Sequence, residues 1–283
     1  IDGLAAFFTY LSGKHLFSQK SDCLMLRQFC LQVVIVSTQS KANFTPRRGG
    51  FTFKQFFVAH DRCAMKVGTD GVLLGAWAPL AQAQRVLDIG SGSGLIALML
   101  AQRSAESVLI DAVELDEAAA AQARDNVQES PWPERIQVHA QDIHHYAQHH
   151  VGQYDLIVSN PPYFEPAVAC RDQARHNARY TETLTHDALL ESAERLIAPQ
   201  GNFCVVLPHD IGETFESNAQ RRGWHTAQRL NVSDRADTPL HRVLLALTRQ
   251  PTEEKAAQSL AIKLADGSYT EAFRRLITDF YLF

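Results

Sequence analysis

From Phe51 onward, apolar and polar positions fall into short, regular blocks. Arg85-Val86-Leu87-Asp88-Ile89-Gly90 reads as a buried strand ending in a glycine turn, and Leu95 to Arg103 has helical spacing. Ser107 to Leu115, apolar and β-branched, predicts a second strand, followed by an alanine-rich helix over about Asp116 to Gln128. Arg135 to Ala140 and Tyr154 to Ser159 predict a third and a fourth strand. A helix over about Asp187 to Ile197 leads through Pro199 and Gly201 to a fifth, Asn202 to Leu207. A helix to Arg222, a strand near Trp224 to Leu230 and a last strand over Arg242 to Thr248 complete the series. The tail from Leu260 carries a turn at Asp266-Gly267 and a short amphipathic helix.

Strands that alternate with helices of about ten residues imply βαβ units. Apolar runs without polar alternation imply strands covered on both faces. The expectation is one α/β domain over residues 51–283, a doubly wound, mostly parallel sheet of seven strands with a short C-terminal appendage. Residues 1–50 open at Ile1 and end in the breaker-rich Thr45-Pro46-Arg47-Arg48-Gly49-Gly50. They are read as an N-terminal extension, disordered or not native to the domain. The apolar stretch Leu24 to Val36 is interrupted by Arg27 and is too short for a membrane span.

Asp88-Ile89-Gly90-Ser91-Gly92-Ser93-Gly94 joins the first strand to its helix. Alternate glycines let the backbone approach a ligand, and the helix start offers free N–H groups. A dinucleotide fingerprint would place its third glycine at position 95, which is Leu95. Glu114, ending the second strand, suits two ribose hydroxyls or a solvated strand end. Thr69 or Asp70 in Lys66-Val67-Gly68-Thr69-Asp70-Gly71 reads as the N-cap of a helix from Gly71 to Trp77. The functional reading of that turn is a cover for the amino-acid end of a cofactor, with Thr69 or Asp70 in contact and Lys66 nearby.

Asn160-Pro161-Pro162-Tyr163 ends the fourth strand in a rigid turn, at the edge where open parallel sheets bind ligands. An exocyclic amino group is a poor nucleophile because its lone pair is delocalised into the ring. The Asn160 side-chain oxygen and the Pro161 carbonyl can each accept one of its N–H groups and localise that pair, while Tyr163 stacks the ring.

In order and spacing, Asp88 to Gly94, Glu114, Asp142 and Asn160 to Tyr163 resemble the NPPY-type amino methyltransferases of the class I Rossmann-like fold. The stretch Phe51 to Gly71 closely resembles the opening of the bacterial tRNA(Val) adenine-N6 methyltransferases, which modify adenine 37 beside the anticodon. The likeness runs from about Phe51 to Phe283 and leaves residues 1–50 unmatched. It implies S-adenosylmethionine as cofactor, held by Lys66, Thr69, Asp70, Asp88, Gly90, Gly92, Gly94 and Glu114. It also implies that Asp142 takes the cofactor's adenine amino group; an N-cap before Ile143 is the other reading of that residue.

A net charge of -4 means that RNA contact needs a local basic patch. Arg171, Arg175 and Arg179, four apart after the NPPY turn, could line one helix face against phosphates or form a solvated charged face. His145 and His149 could share a metal, but no cysteine or glutamate accompanies them, so a solvated helix face is preferred and no metal is expected. Five scattered cysteines without a C-x-x-C pair fit reduced thiols in a cytoplasm. The overall expectation is a monomeric, cytoplasmic, tRNA-modifying enzyme without membrane contact. Ribosomal RNA guanine N2, DNA adenine N6 and release-factor glutamine N5 are alternative targets of the same motif, and a cofactor-binding module of an RNA assembly is the non-enzyme alternative.

Overall fold

Both faces of the central strands are apolar, and each carries its own core. In the computed structural model, which describes residues 49–80, 82–162, 184–253 and 255–283, Val86, Leu156, Cys204 and Leu244 belong to one core, and Leu87, Ile157, Val205 and Leu245 to the other. Successive side chains of a strand point to opposite faces, so such runs settle only where helices cover both sides.

The elements are β1 (Gly50–Thr52), β2 (Phe57–Ala59), α1 (Thr69–Trp77), β3 (Arg85–Ile89), α2 (Leu95–Arg103), β4 (Leu109–Glu114), α3 (Glu117–Gln128), β5 (Ile136–Ala140), α4 (Ile143–Ala147) and β6 (Tyr154–Ser159). After them come α5 (His186–Leu196), β7 (Ile197–Pro208), α6 (His209–Arg221), β8 (His225–Arg235), β9 (Leu240–Thr248), β10 (Gln258–Lys263) and α7 (Glu271–Ile277). The main sheet runs β10-β8-β9-β7-β6-β3-β4-β5. Only the pairings of β9 with β7 and β8 are antiparallel. From β3 the chain moves outward through β4 to β5, then returns to lay β6 on the other side of β3. The carboxyl ends of β3 and β6 flank that reversal, which is where an open α/β sheet leaves a crevice.

The sheet has eight strands where the sequence suggests seven. The eighth, β10, lies in the tail read as a turn and a helix. Only Leu260 and Ile262 of its residues are buried, in a short alternation that gives a weak signal beside the turn at Asp266-Gly267. A second correction concerns α1, which begins two residues earlier than expected. Its N-cap is Gly68, without a side-chain cap, so Thr69 and Asp70 lie in the first turn.

The small antiparallel hairpin β1–β2 rests on the tail. Phe53 stacks on Phe56 at 4.6 Å between centroids, and Phe51 lies 5.3 Å from Tyr281. The Lys54 amide donates to the Phe280 carbonyl at 2.8 Å. In the amino half of the main sheet, buried Asp111 accepts from His139 at 2.7 Å, Tyr154 at 2.9 Å and Arg85 at 3.0 Å. Burial alone would raise its pKa, but these bonds hold it below the usual value. No helix among the described residues is long and apolar enough to cross a membrane.

Candidate active site

The glycine turn after β3 is pinned to the neighbouring strand, since the amides of Gly90 and Ser91 both donate to the Val113 carbonyl, at 2.8 and 3.2 Å. Gly90 and Gly92 have φ of 71° and 53°, and a Cβ on either would meet nothing within 4 Å. The turn therefore needs glycine for its backbone angles and faces open space. Asp88 lies beneath it with no exposed surface. One carboxylate oxygen accepts from the Ala97 amide at 3.2 Å, as a cap for α2, and Oδ1 has no partner. Burial raises its pKa to about 7. Asp88 supports the turn from below, and Gly94, the αL residue before α2, packs near Ala123.

Glu114 faces the turn across the crevice. Its Oε2 accepts from the Gly92 amide at 2.8 Å and its Oε1 from Asp116 at 2.9 Å. Burial, against the opposing pull of these amides, raises its pKa to about 6. Each oxygen keeps a further lone pair for an incoming donor. Asp142 is the N-cap of α4, accepting from the His144 amide at 2.7 Å, so the capping reading of the sequence is realised. It also lines a small recess with Ile89, Gly90, Val113 and Leu115, beside the Glu114 crevice.

At the end of β6, Ser159 donates to the Ile89 carbonyl at 2.9 Å and locks the two strand ends together. The next residue, Asn160, keeps its side-chain oxygen buried and without a hydrogen-bond partner. It lines two cavities. The first, about 310 Å³, is bounded by Glu114, Asp116, Asn160, Pro161 and Pro162 and by the loop Asp61 to Met65. The second, about 730 Å³, extends past Lys66, Thr69 and Asp70 to the ends of β8, β9 and β10. Asp70 accepts from Arg242 there at 2.8 Å, so its carboxylate is engaged with β9. Tyr163, Arg171, Arg175 and Arg179 lie outside the described residues.

Sequence reasoning missed the wall formed by the loop after β2. Gln122 and Asn126 on α3 hold it in place. Gln122 accepts from the Arg62 amide at 2.7 Å and donates to Asp61 at 2.9 Å. Asn126 donates to the carbonyls of Ala59, at 2.8 Å, and Ser93, at 2.9 Å, joining loop to glycine turn. The available signal was two amide side chains four apart on an alanine-rich helix. The histidines in and just after α4 pack locally: His150 stacks on Tyr146 at 3.9 Å, and His144 meets Ser192 at 3.2 Å. No group of three metal-ligating side chains occurs among the described residues.

The family model of the Methyltransferase small domain matches residues 66–216. A tRNA1(Val) (adenine(37)-N6)-methyltransferase of Serratia proteamaculans is 90% identical over 259 residues, covering 92% of this chain and all of that protein. The chain belongs to this methyltransferase family. A second member, from Yersinia pseudotuberculosis, is 61% identical over 250 residues, 88% of this chain and 99% of that protein. The Serratia match is longer than the stretch from Phe51 to Phe283, so it reaches into residues 1–50. Among solved structures, a predicted O-methyltransferase from Agrobacterium tumefaciens aligns with a TM-score of 0.56 at 16% identity, over 75% of this chain and 96% of that one. That likeness is one of fold, the Rossmann-like methyltransferase sheet.

Proposed function

We propose that this methyltransferase uses S-adenosylmethionine to methylate N6 of adenine 37 in tRNA1(Val), in the cytoplasm. The observation that carries the reading is the buried, partnerless oxygen of Asn160 at the meeting point of two cavities. A buried acceptor without a partner is costly, and such groups in native proteins are ordinarily completed by a ligand, ion or water.

The residues present fit the cofactor. Gly90 and Gly92 leave open space over the turn. Glu114 has acceptor capacity for the ribose hydroxyls, and Asp142 borders the recess suited to the adenine. Thr69, with Lys66 and Asp70 nearby, lines the part of the second cavity suited to the amino-acid end. Acidic side chains at Asp61, Glu114 and Asp116, against Arg62, suit a cationic ligand in the first cavity. When bound, S-adenosylmethionine supplies a methyl group activated on a sulfonium.

The chain's own part is to prepare the amino nitrogen. Asn160 accepts one N–H of the adenine amino group and the Pro161 carbonyl accepts the other, which draws the nitrogen lone pair out of ring conjugation. Pro161 and Pro162 hold these acceptors rigidly because their φ angles are fixed. Tyr163 gives the flipped base a stacking face. The product nitrogen sheds its proton readily, so no general base is needed and positioning carries the step. Arg171, Arg175 and Arg179 are proposed to meet phosphates beside this turn.

Methyl transfer to tRNA from cells lacking the enzyme, followed by nucleoside mass analysis, tests the reading. N6-methyladenosine at position 37 of tRNA1(Val) is the expected product. Its absence with the full-length protein would overturn the assignment.

A further inference from the structure

The cofactor-facing residues take up the glycine turn, the β4–β5 side of the crevice and the turn at Lys66 to Asp70, and they leave the β8–β10 end of the carboxyl edge unassigned. Because β9 runs antiparallel to its neighbours, its beginning lies at that edge with the ends of β8 and β10. Asp234, His241, Arg242 and Lys263 therefore gather on one wall of the 730 Å³ cavity whose other wall holds Asn160 and the glycine turn. Lys66, Arg242 and Lys263 outnumber Asp70 and Asp234 in that lining, a local reversal in a chain of net charge -4. Arg242 bonds Asp70 at 2.8 Å and Lys263 meets Asp234 at 3.2 Å, so both cationic groups are held at the rim. The Lys263 side chain is 42% exposed and open to an anion. Half-buried Tyr269 and Tyr281 add rings to the same wall. Burial, with Arg242 beside it, holds the His241 imidazole below its usual pKa, which suits it to hydrogen bonding as the neutral ring.

We propose that His241, Arg242, Lys263 and Tyr269 form the seat of the single-stranded RNA segment adjoining the target nucleotide. Cations at the rim meet phosphates, and the ring of Tyr269 meets an unstacked base, the combination by which single strands are held without sequence readout. The cavity is continuous with Asn160, so a strand lying there delivers its flipped neighbour to the NPPY turn. β10 then has a function beyond covering the sheet edge, because it contributes Lys263. The proposal rests on tRNA being the substrate. It is independent of Arg171, Arg175 and Arg179, which follow the NPPY turn in sequence.

Its test uses the full chain with Lys263→Ala, Lys263→Glu and Tyr269→Ala. Binding of an anticodon stem-loop RNA is followed by fluorescence anisotropy across a salt series, with steady-state kinetics on tRNA and calorimetry of S-adenosylhomocysteine. Lys263→Glu should raise the RNA Kd and the tRNA KM by about tenfold at low salt. The slope of log K against log salt should flatten by about 0.7 for each phosphate that is no longer neutralised. Tyr269→Ala should weaken RNA binding without changing that slope. In all three variants, S-adenosylhomocysteine binding should match that of the parent, which shows that the domain is folded. Unchanged RNA affinity and slope in the Lys263 variants would overturn the proposal, as would an equal loss of S-adenosylhomocysteine binding. Failure of the parent protein to methylate tRNA would instead strike the functional reading itself.

Discussion

Asp111 and Asp88 are buried carboxylates on adjacent parallel strands, and the fold treats them in opposite ways. Asp111 receives hydrogen bonds from an arginine, a histidine and a tyrosine, and they outweigh burial to lower its pKa. Asp88 receives one bond, from Ala97, and burial prevails. Nor is Asp88 isolated in this. Six buried side-chain polar atoms among the described residues lack a partner, and three of them, on Asp88, Ser91 and Asn160, lie in or beside the glycine turn and the NPPY turn. In the amino half of the sheet the Asp111 carboxylate is completed internally and serves stability, and Arg85 Nε is the one unpartnered atom beside it among the described residues. The carboxyl edge leaves groups incomplete, and ligands complete them.

The largest effect that contrast predicts is on stability. Asp111→Ala should cost about 3 kcal/mol, since it leaves buried Tyr154 and the partly exposed Arg85 and His139 without their shared acceptor. Urea unfolding would measure it, and a variant as stable as the parent would erase the distinction. The pH dependence has a definite sign. A carboxyl held below its ordinary value stabilises the fold fully above about pH 3.9 and loses that contribution as the pH falls further. Asp111→Asn should blunt this acid-induced loss.

At the other edge the expected effect is catalytic. Asn160→Ala should lower kcat by on the order of 10², with unfolding free energy equal to or above that of the parent, because the variant removes an unpaired buried acceptor. A destabilised Asn160→Ala with normal kcat would reverse the assignment of the two edges.

Glu114 comes next. Glu114→Ala should weaken S-adenosylhomocysteine binding by about 1–3 kcal/mol, measured by calorimetry. With its pKa raised to about 6, Glu114 should make that affinity fall as the pH drops through about 6, and Glu114→Gln should abolish the inflection. The same shift means that the folded state binds this proton more tightly than the unfolded chain. Its contribution to stability therefore diminishes from the ordinary Glu value, about 4.3, up to about 6 and stays low above it. An inflection that persists in Glu114→Gln would point to another titrating group at this edge, Asp88 or His241.

The smallest expected change is in Tyr163→Phe, which should keep kcat and KM within roughly twofold, whereas Tyr163→Ala should cost about 1–3 kcal/mol. A severe loss in the phenylalanine variant would give the hydroxyl a part in the chemistry.

Much of this was legible in the chain because it rests on local pattern. Leu95–Arg103 and Tyr154–Ser159 coincide with their expected spans, since long buried runs and clear breakers leave little choice of register. The glycine turn, Glu114 and Asn160 were legible because motif order and strand order together put them at one edge. What escaped depends on pairing across the chain. The edge strand β10 is made by pairing with β8, as far away as Leu230. The loop after β2 is fixed by Gln122 and Asn126, about 60 positions beyond it. Pairing of Asp70 with Arg242 is likewise decided by a tertiary neighbour, whereas capping at Asp142 is local and was legible.

The anchoring of the first hairpin on the tail sets an order of events during synthesis. Lys54 donates to the carbonyl of Thr278, 224 positions later, and to that of Phe280. A nascent chain thus contains the glycine turn and Asn160 well before it contains the residues that seat the hairpin. The loop Asp61 to Met65 follows directly from that hairpin; α3 can hold the loop early, but the hairpin beside it is seated only once translation has passed residue 280. The crevice is thus completed only at the end of synthesis, because the hairpin beside its wall finds its seat among the last residues to be made.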